Sequence, residues 1–103
     1  MLHDFGGNGG NLAYTCTTER FIVYGQWTST SRSNNRPYMT TTGSANITTV
    51  LSYYEDIYNS QGSHHYGFFV VDGATIGDSF TIVTYGNAYV NNNYVTQSFV
   101  IGF

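Results

Sequence analysis

Apolar and polar residues alternate over short segments of this sequence, and turn-forming residues separate the segments. Between residues 12 and 17, Leu12, Tyr14 and Cys16 alternate with smaller or more polar neighbours, and residues 21–28 continue the pattern. A period of two is typical of a half-buried β-strand. Helix-forming residues are scarce, since lysine is absent and alanine, leucine and glutamate are few. The pattern therefore predicts an all-β chain.

The spacing of these segments predicts the architecture. Turn residues such as Asp72-Gly73 and Gly86-Asn87 separate them, which favours an antiparallel β-sandwich of about eight short strands, of jelly-roll or Greek-key type. A closed barrel is the alternative. Residues 1–11 are interpreted as a Gly/Asn-rich leader and 12–103 as one domain, with one helical turn possible in 53–61. The predicted strands are 12–17, 21–28, 38–42, 47–54, 66–72, 79–85, 88–90 and 95–103.

Individual residues refine this picture. Pro37 precedes a weak strand and places it at a sheet edge. The continuous apolar run within 66–72 predicts a strand covered on both faces, by a second sheet and by a subunit or loop. The last strand places Phe99, Ile101 and Phe103 on one side. Cys16, the only cysteine, is predicted to be a small buried hydrophobe.

Charge and hydropathy exclude several classes of function. Only 9% of the 103 residues are charged and the formal net charge is -3, so no basic surface is available to bind nucleic acid. Apolar runs are far shorter than the roughly 20 residues that a membrane-spanning helix needs. The first residues also lack the basic and apolar regions of a signal peptide. We therefore expect neither nucleic-acid binding nor membrane insertion.

The sequence contains no convincing catalytic or metal-binding motif. His64 and His65 are adjacent, so on a strand they would point to opposite faces, and after Gly62-Ser63 they favour a polar surface turn over a metal site. The six acidic residues lie mostly in turns or at strand ends, and no nucleophile elbow is present. We therefore predict a protein that is not an enzyme and that carries no metal or cofactor.

Aromatic and amide residues give the strongest functional signal. Ten tyrosines, with many Asn, Ser and Thr residues, suit contact with sugar rings or with another protein. We expect the contacts in loops at one end of the sandwich. The candidate ligand-binding residues are Trp27, Asn34, Asn35, Arg36, Tyr38, Tyr58, His64, His65, Tyr66, Tyr89, Asn92 and Tyr94.

The absence of lysine also bears on assembly. Sandwich proteins commonly protect their edge strands with charge, especially lysine. Because this chain has none, its edges must be covered by loops or by other copies of the chain. We therefore predict a homo-oligomer.

Two stretches carry a resemblance to a known class of domain. Residues 12–17 leading into 21–25, and residues 67–82 with the turn Gly77-Asp78, resemble the small β-sandwich domains at the ends of bacteriophage tail fibres and receptor-binding proteins. The resemblance implies a trimeric virion module that recognises a bacterial surface glycan or protein and docks onto other virion proteins. It implies no catalytic residue.

Three further functions stay open. One is a structural capsid or tail decoration protein, and another is a secreted carbohydrate-binding module or lectin. An enzyme ranks last, because it would need at least two acidic residues to converge in one cleft.

Overall fold

The computed structural model describes residues 11–29, 36–56, 63–83 and 93–103, and these residues form β-strands without any helix. Of residues 11, 29 and 93–97 only the backbone is described. No helix long and apolar enough to cross a bilayer occurs in the described part of the chain. The seven strands are β1 (Asn11–Thr15), β2 (Phe21–Ser29), β3 (Tyr38–Thr41), β4 (Asn46–Asp56), β5 (Ser63–Asp72), β6 (Ser79–Val83) and β7 (Asn93–Gly102).

The strands form two antiparallel sheets that pack together. The smaller sheet has the order β1-β6-β3 and the larger sheet has the order β4-β5-β2-β7. Except for the β4-β5 pair, sequence neighbours lie apart, as in Greek-key sandwiches. The prediction of an antiparallel β-sandwich is thus confirmed, and the described strands do not close into a barrel. The predicted strand at 88–90 and residues 1–10 of the predicted leader lie outside the described residues.

Strand alternation builds the core. Along β2 and β5 every second residue is buried, so each strand contributes one face to the interior. Phe21 of the larger sheet meets Phe80 of the smaller sheet edge to face, with ring centroids 5.0 Å apart. Among the described residues, the apolar side chains with no exposed surface are Leu12, Phe21, Val23, Trp27, Phe69, Val71, Phe80 and Ile82.

Cys16 lies just after β1 and is buried, as predicted. Its exposed fraction is 1%, and its Sγ donates a hydrogen bond to the carbonyl oxygen of Thr75 at 3.1 Å. Its backbone N–H also donates to the carbonyl of Asp78 at 3.0 Å. These contacts fix the end of β1 against the turn before β6.

Sheet pairing corrects two local predictions. The helical turn predicted in 53–61 is wrong over residues 53–56, because β4 continues to Asp56 and pairs there with Ser63; residues 57–62 lie outside the described residues. The surface turn predicted for His64 and His65 is also wrong, since β5 begins at Ser63 and includes both. Pairing with the neighbouring strands extends β5 where the local polar sequence suggested a loop.

Two sheet edges show how the chain protects its strands. β3 lies at the edge of the smaller sheet, as the position of Pro37 predicted. At the edge of β4, the Arg36 guanidinium donates to the carbonyl oxygen of Ser52 at 2.9 Å, and Ser52 Oγ donates to the carbonyl of Pro37. A bulge at Val50 interrupts the same strand. Residues 36 and 37 therefore cover part of this edge without any lysine.

Candidate functional site

The larger sheet has an outer face, formed by the side chains that point away from the smaller sheet. This face is rich in aromatic and aliphatic side chains, although a solvent-facing sheet surface is usually polar. The outer surface of the smaller sheet differs, because Ala13, Thr40 and Thr81 occupy one row across its three strands. Among the surfaces formed by the described residues, the outer face therefore most resembles a contact site.

One end of the outer face combines aromatic rings with hydrogen-bonding groups, and we call it the aromatic–polar end. The register of β4, β5 and β2 brings its members together in two rows. The tyrosine rings of Tyr53 and Tyr66 lie beside each other on neighbouring strands, with centroids 5.8 Å apart and planes 34° apart. The members are Gln26, Thr28, Tyr53, Glu55, His64 and Tyr66.

Hydrogen bonds hold this end in a defined arrangement. The Tyr66 hydroxyl donates to Glu55 Oε2 at 3.1 Å. The Thr28 hydroxyl and His64 Nδ1 form a hydrogen bond of 3.1 Å. Gln26 Nε2 donates to the hydroxyl of Tyr24 at 2.8 Å. Pre-positioned polar groups beside exposed rings can bind a partner with a small loss of side-chain entropy.

The electrostatics at Tyr66 reflect its neighbours. Burial raises the pKa of the Tyr66 hydroxyl above its ordinary value of 10.0, and the hydrogen bond to Glu55 and the negative charge of Glu55 raise it further. Tyr66 therefore stays protonated at neutral pH and acts as a hydrogen-bond donor.

The opposite end of the outer face contains mainly hydrocarbon side chains, with Thr48 beside Val70 and Tyr24 beside Phe68 in the same two rows, and we call it the apolar end. Leu51 and Ile101 are 43% and 46% exposed there. The ring of Phe99 lies 5.7 Å from that of Tyr24, which separates the two ends. The members are Ile22, Leu51, Phe68, Val70, Phe99 and Ile101.

Charged residues lie at the rim beyond the apolar end. Arg20 Nε lies 3.4 Å from Asp72 Oδ1, and both side chains are more than half exposed. The Arg20 guanidinium also lies over the ring of Phe103, 4.5 Å from its centroid. The rim thus presents one positive and one negative charge side by side.

The structure places only two of the predicted ligand residues on the outer face with described side chains, His64 and Tyr66. Trp27 and His65 are completely buried, so their rings contribute to the interior. Arg36 covers the edge of β4, and Tyr38 lies exposed on the other sheet. Of Tyr94 only the backbone is described, opposite Thr28. Asn34, Asn35, Tyr58, Tyr89 and Asn92 lie outside the described residues.

Several members of the aromatic–polar end were missing from the sequence prediction, above all Tyr53, Glu55 and Gln26. The prediction sought ligand contacts in loops, whereas these residues lie within strands. The signal present in the sequence was the alternation in β4, which puts Leu51, Tyr53 and Glu55 on one face. Only the register with β5 shows that Tyr53 lies beside Tyr66.

The described residues contain no group of three or more His, Cys, Asp or Glu side chains able to hold a metal ion. His64 is half-buried on the outer face, while His65 is buried on the inner one. The prediction that the two histidines point to opposite faces is therefore confirmed.

Comparisons with known proteins identify no family for this chain. No family model matches the sequence, and no curated protein or solved structure is similar enough to count as a relative. The functional argument therefore depends on the geometry of the outer face.

Proposed function

We propose that this chain is a non-enzymatic binding module that holds a sugar ring of a surface glycan at the aromatic–polar end. The observation that carries the proposal is the pairing of two neighbouring tyrosine rings, Tyr53 and Tyr66, with a carboxylate, Glu55, fixed beside them. Flat rings pack against the C–H groups of a pyranose, and the adjacent carboxylate and amide groups bond its hydroxyls.

The charge of this end narrows the class of glycan. Glu55 contributes a carboxylate on this face, whereas Asp56 points to the other face, where Ser63 donates to it. The Glu55 carboxylate repels carboxylated or sulfated sugars, so the proposed ligand is a neutral glycan. The Tyr66 hydroxyl donates a hydrogen bond to Glu55 Oε2, which leaves Glu55 Oε1 to accept a hydrogen bond from a sugar hydroxyl.

The resemblance to bacteriophage tail-fibre tips extends the proposal to a biological setting. In that setting the module belongs to a virion and the glycan belongs to the bacterial surface. A secreted carbohydrate-binding module would use the same face. The expectation of a trimer also stays a prediction.

The test is binding of the full chain to a panel of immobilised bacterial surface polysaccharides, followed by calorimetric titration with any neutral oligosaccharide that binds. We expect Tyr53→Ala to weaken binding at least tenfold, about 1.4 kcal/mol. Tyr38→Ala is the matched control, because Tyr38 is similarly exposed, 49% against 43%, but lies on the other sheet. Absence of binding at millimolar ligand, or an equal loss in both variants, would contradict the proposal.

A structural decoration protein is the second candidate, and the hydrocarbon surface of the apolar end favours it. Such a protein would dock tightly to a virion and show no affinity for the polysaccharide panel. Co-sedimentation with purified particles distinguishes the two, since Tyr53→Ala would leave docking through the apolar end unchanged.

A further inference from the structure

The apolar end differs from the proposed glycan site in its chemistry. Its six side chains are hydrocarbon, and Leu51 and Ile101 remain more than 40% exposed. A sugar ring gains less there than at the aromatic–polar end, because the two rows hold only the hydroxyls of Thr48 and Tyr24, and Gln26 already donates to the Tyr24 hydroxyl. This end is suited to an occupant that is itself apolar.

The rim of the apolar end identifies that occupant. Arg20 and Asp72 lie side by side, 3.4 Å apart, with side chains 55% and 64% exposed. Arg20 directly precedes β2 and Asp72 ends β5. A two-fold axis parallel to the strands and between β2 and β5 therefore brings Arg20 of one copy towards Asp72 of the other, and the reverse. A surface with adjacent opposite charges is therefore complementary to itself, as a two-fold interface requires.

We propose that the apolar end binds a second copy of this chain, face to face about a two-fold axis, with Arg20 and Asp72 exchanging partners at the rim. Ile22, Phe68 and Val70 of each copy would lie nearest the axis, and Ile101 on the edge strand β7 would pack towards β4 of the other copy. The contact goes beyond the proposed glycan binding and does not depend on it. Because the apolar patch is small, the dimer is a weak and concentration-dependent one.

Sedimentation equilibrium of the full chain from 10 μM to 1 mM tests the dimer. The wild-type protein is expected to rise from the monomer mass towards twice that mass. Ile101→Glu places a carboxylate on the most exposed of the six side chains of the patch and should abolish the increase. Ile76→Glu is the matched control, because Ile76 is 62% exposed in the turn before β6, away from the outer face.

A charge-reversal mixture tests the two-fold pairing. R20D and D72R should each remain monomeric alone, because each copy then carries two like charges at the rim. An equimolar mixture should regain the dimer, since the two rims become opposite in sign. If Arg20 and Asp72 paired only within one chain, mixing the two variants would not restore the dimer.

Three results would overturn the proposal. They are a wild-type protein that stays monomeric at 1 mM, a dimer that survives Ile101→Glu, and a mixture of R20D and D72R that remains monomeric.

Discussion

The indole of Trp27 lies over Gly25, two residues earlier on the same strand. A Cβ on Gly25 would lie 2.7 Å from Trp27 Cε2 and closer still to two other ring atoms. Gly67, directly opposite Gly25 on β5, would place a Cβ 3.1 Å from Trp27 Cζ3. The two glycines thus make room for a tryptophan side chain that has no exposed surface.

Gly25→Ala should destabilise the protein by about 1–3 kcal/mol, because the added methyl group overpacks the ring of Trp27. Urea unfolding followed by circular dichroism measures the change. The control is the same substitution in a Trp27→Phe background, where the smaller ring leaves space. We expect a coupling of about 1 kcal/mol between the two sites, and strictly additive effects would argue against this packing.

The Cys16 thiol should not react with a thiol reagent in the native protein. Its side chain is 1% exposed and its Sγ donates to the carbonyl oxygen of Thr75. Labelling with a chromogenic disulfide reagent should proceed only as fast as the chain opens and should become rapid in denaturant. Stoichiometric labelling within seconds in buffer would mean that Cys16 is not buried as described.

Gly77→Ala should lower the free energy of unfolding by about 1–3 kcal/mol through backbone strain alone. Gly77 has a φ of 101°, and no atom outside its own neighbourhood lies within 4 Å of an added Cβ. The adjacent Ile76→Ala is the control, because a 62% exposed side chain in the same turn should change stability by about 0.5 kcal/mol or less. Equal effects of the two substitutions in a thermal unfolding experiment would contradict the strain argument.

Glu55→Gln should lower the pKa of Tyr66 without returning it to 10.0. Burial is the largest cause of the raised value and persists in the variant, whereas the charge of Glu55 is removed. Ultraviolet titration of the phenolate measures the shift, with Tyr66→Phe identifying the signal. An unchanged titration in Glu55→Gln would show that the carboxylate does not act on this hydroxyl.

The same pKa shift makes a prediction about stability. The pKa of Tyr66 is higher in the folded state than in the unfolded state. The contribution of this difference to the free energy of unfolding is therefore complete below pH 10 and is lost as the pH rises through the folded-state pKa. The alkaline loss of stability should therefore be smaller in Tyr66→Phe than in the wild-type protein. Unfolding measurements between pH 9 and pH 12 test this comparison.

Only part of the candidate site could be predicted from the sequence. His64 and Tyr66 were predicted as ligand residues, but Tyr53 and Glu55 were not. All four lie in strands, and their proximity arises from the pairing of Tyr53 with Tyr66 and of Glu55 with His64 across β4 and β5. Alternation assigns residues of one strand to a common face, but it contains no information on which residue of the next strand lies opposite.

The sequence by itself determined that the chain forms short antiparallel strands, that Cys16 is buried and that Phe99, Ile101 and Phe103 share one side. Only the tertiary structure decided whether that side faces the core or lies on the outer face of the sheet. In β7 the inner positions are Ser98 and Val100, so Phe99 and Ile101 lie on the outer face. The second sheet covers one face of the apolar run in β5, while Phe68 and Val70 on the other face are half-buried in the single chain; cover of that face by a subunit or loop stays a prediction. Where both faces of a strand are apolar, hydrophobicity alone cannot choose between them, and the packing of the second sheet makes the choice.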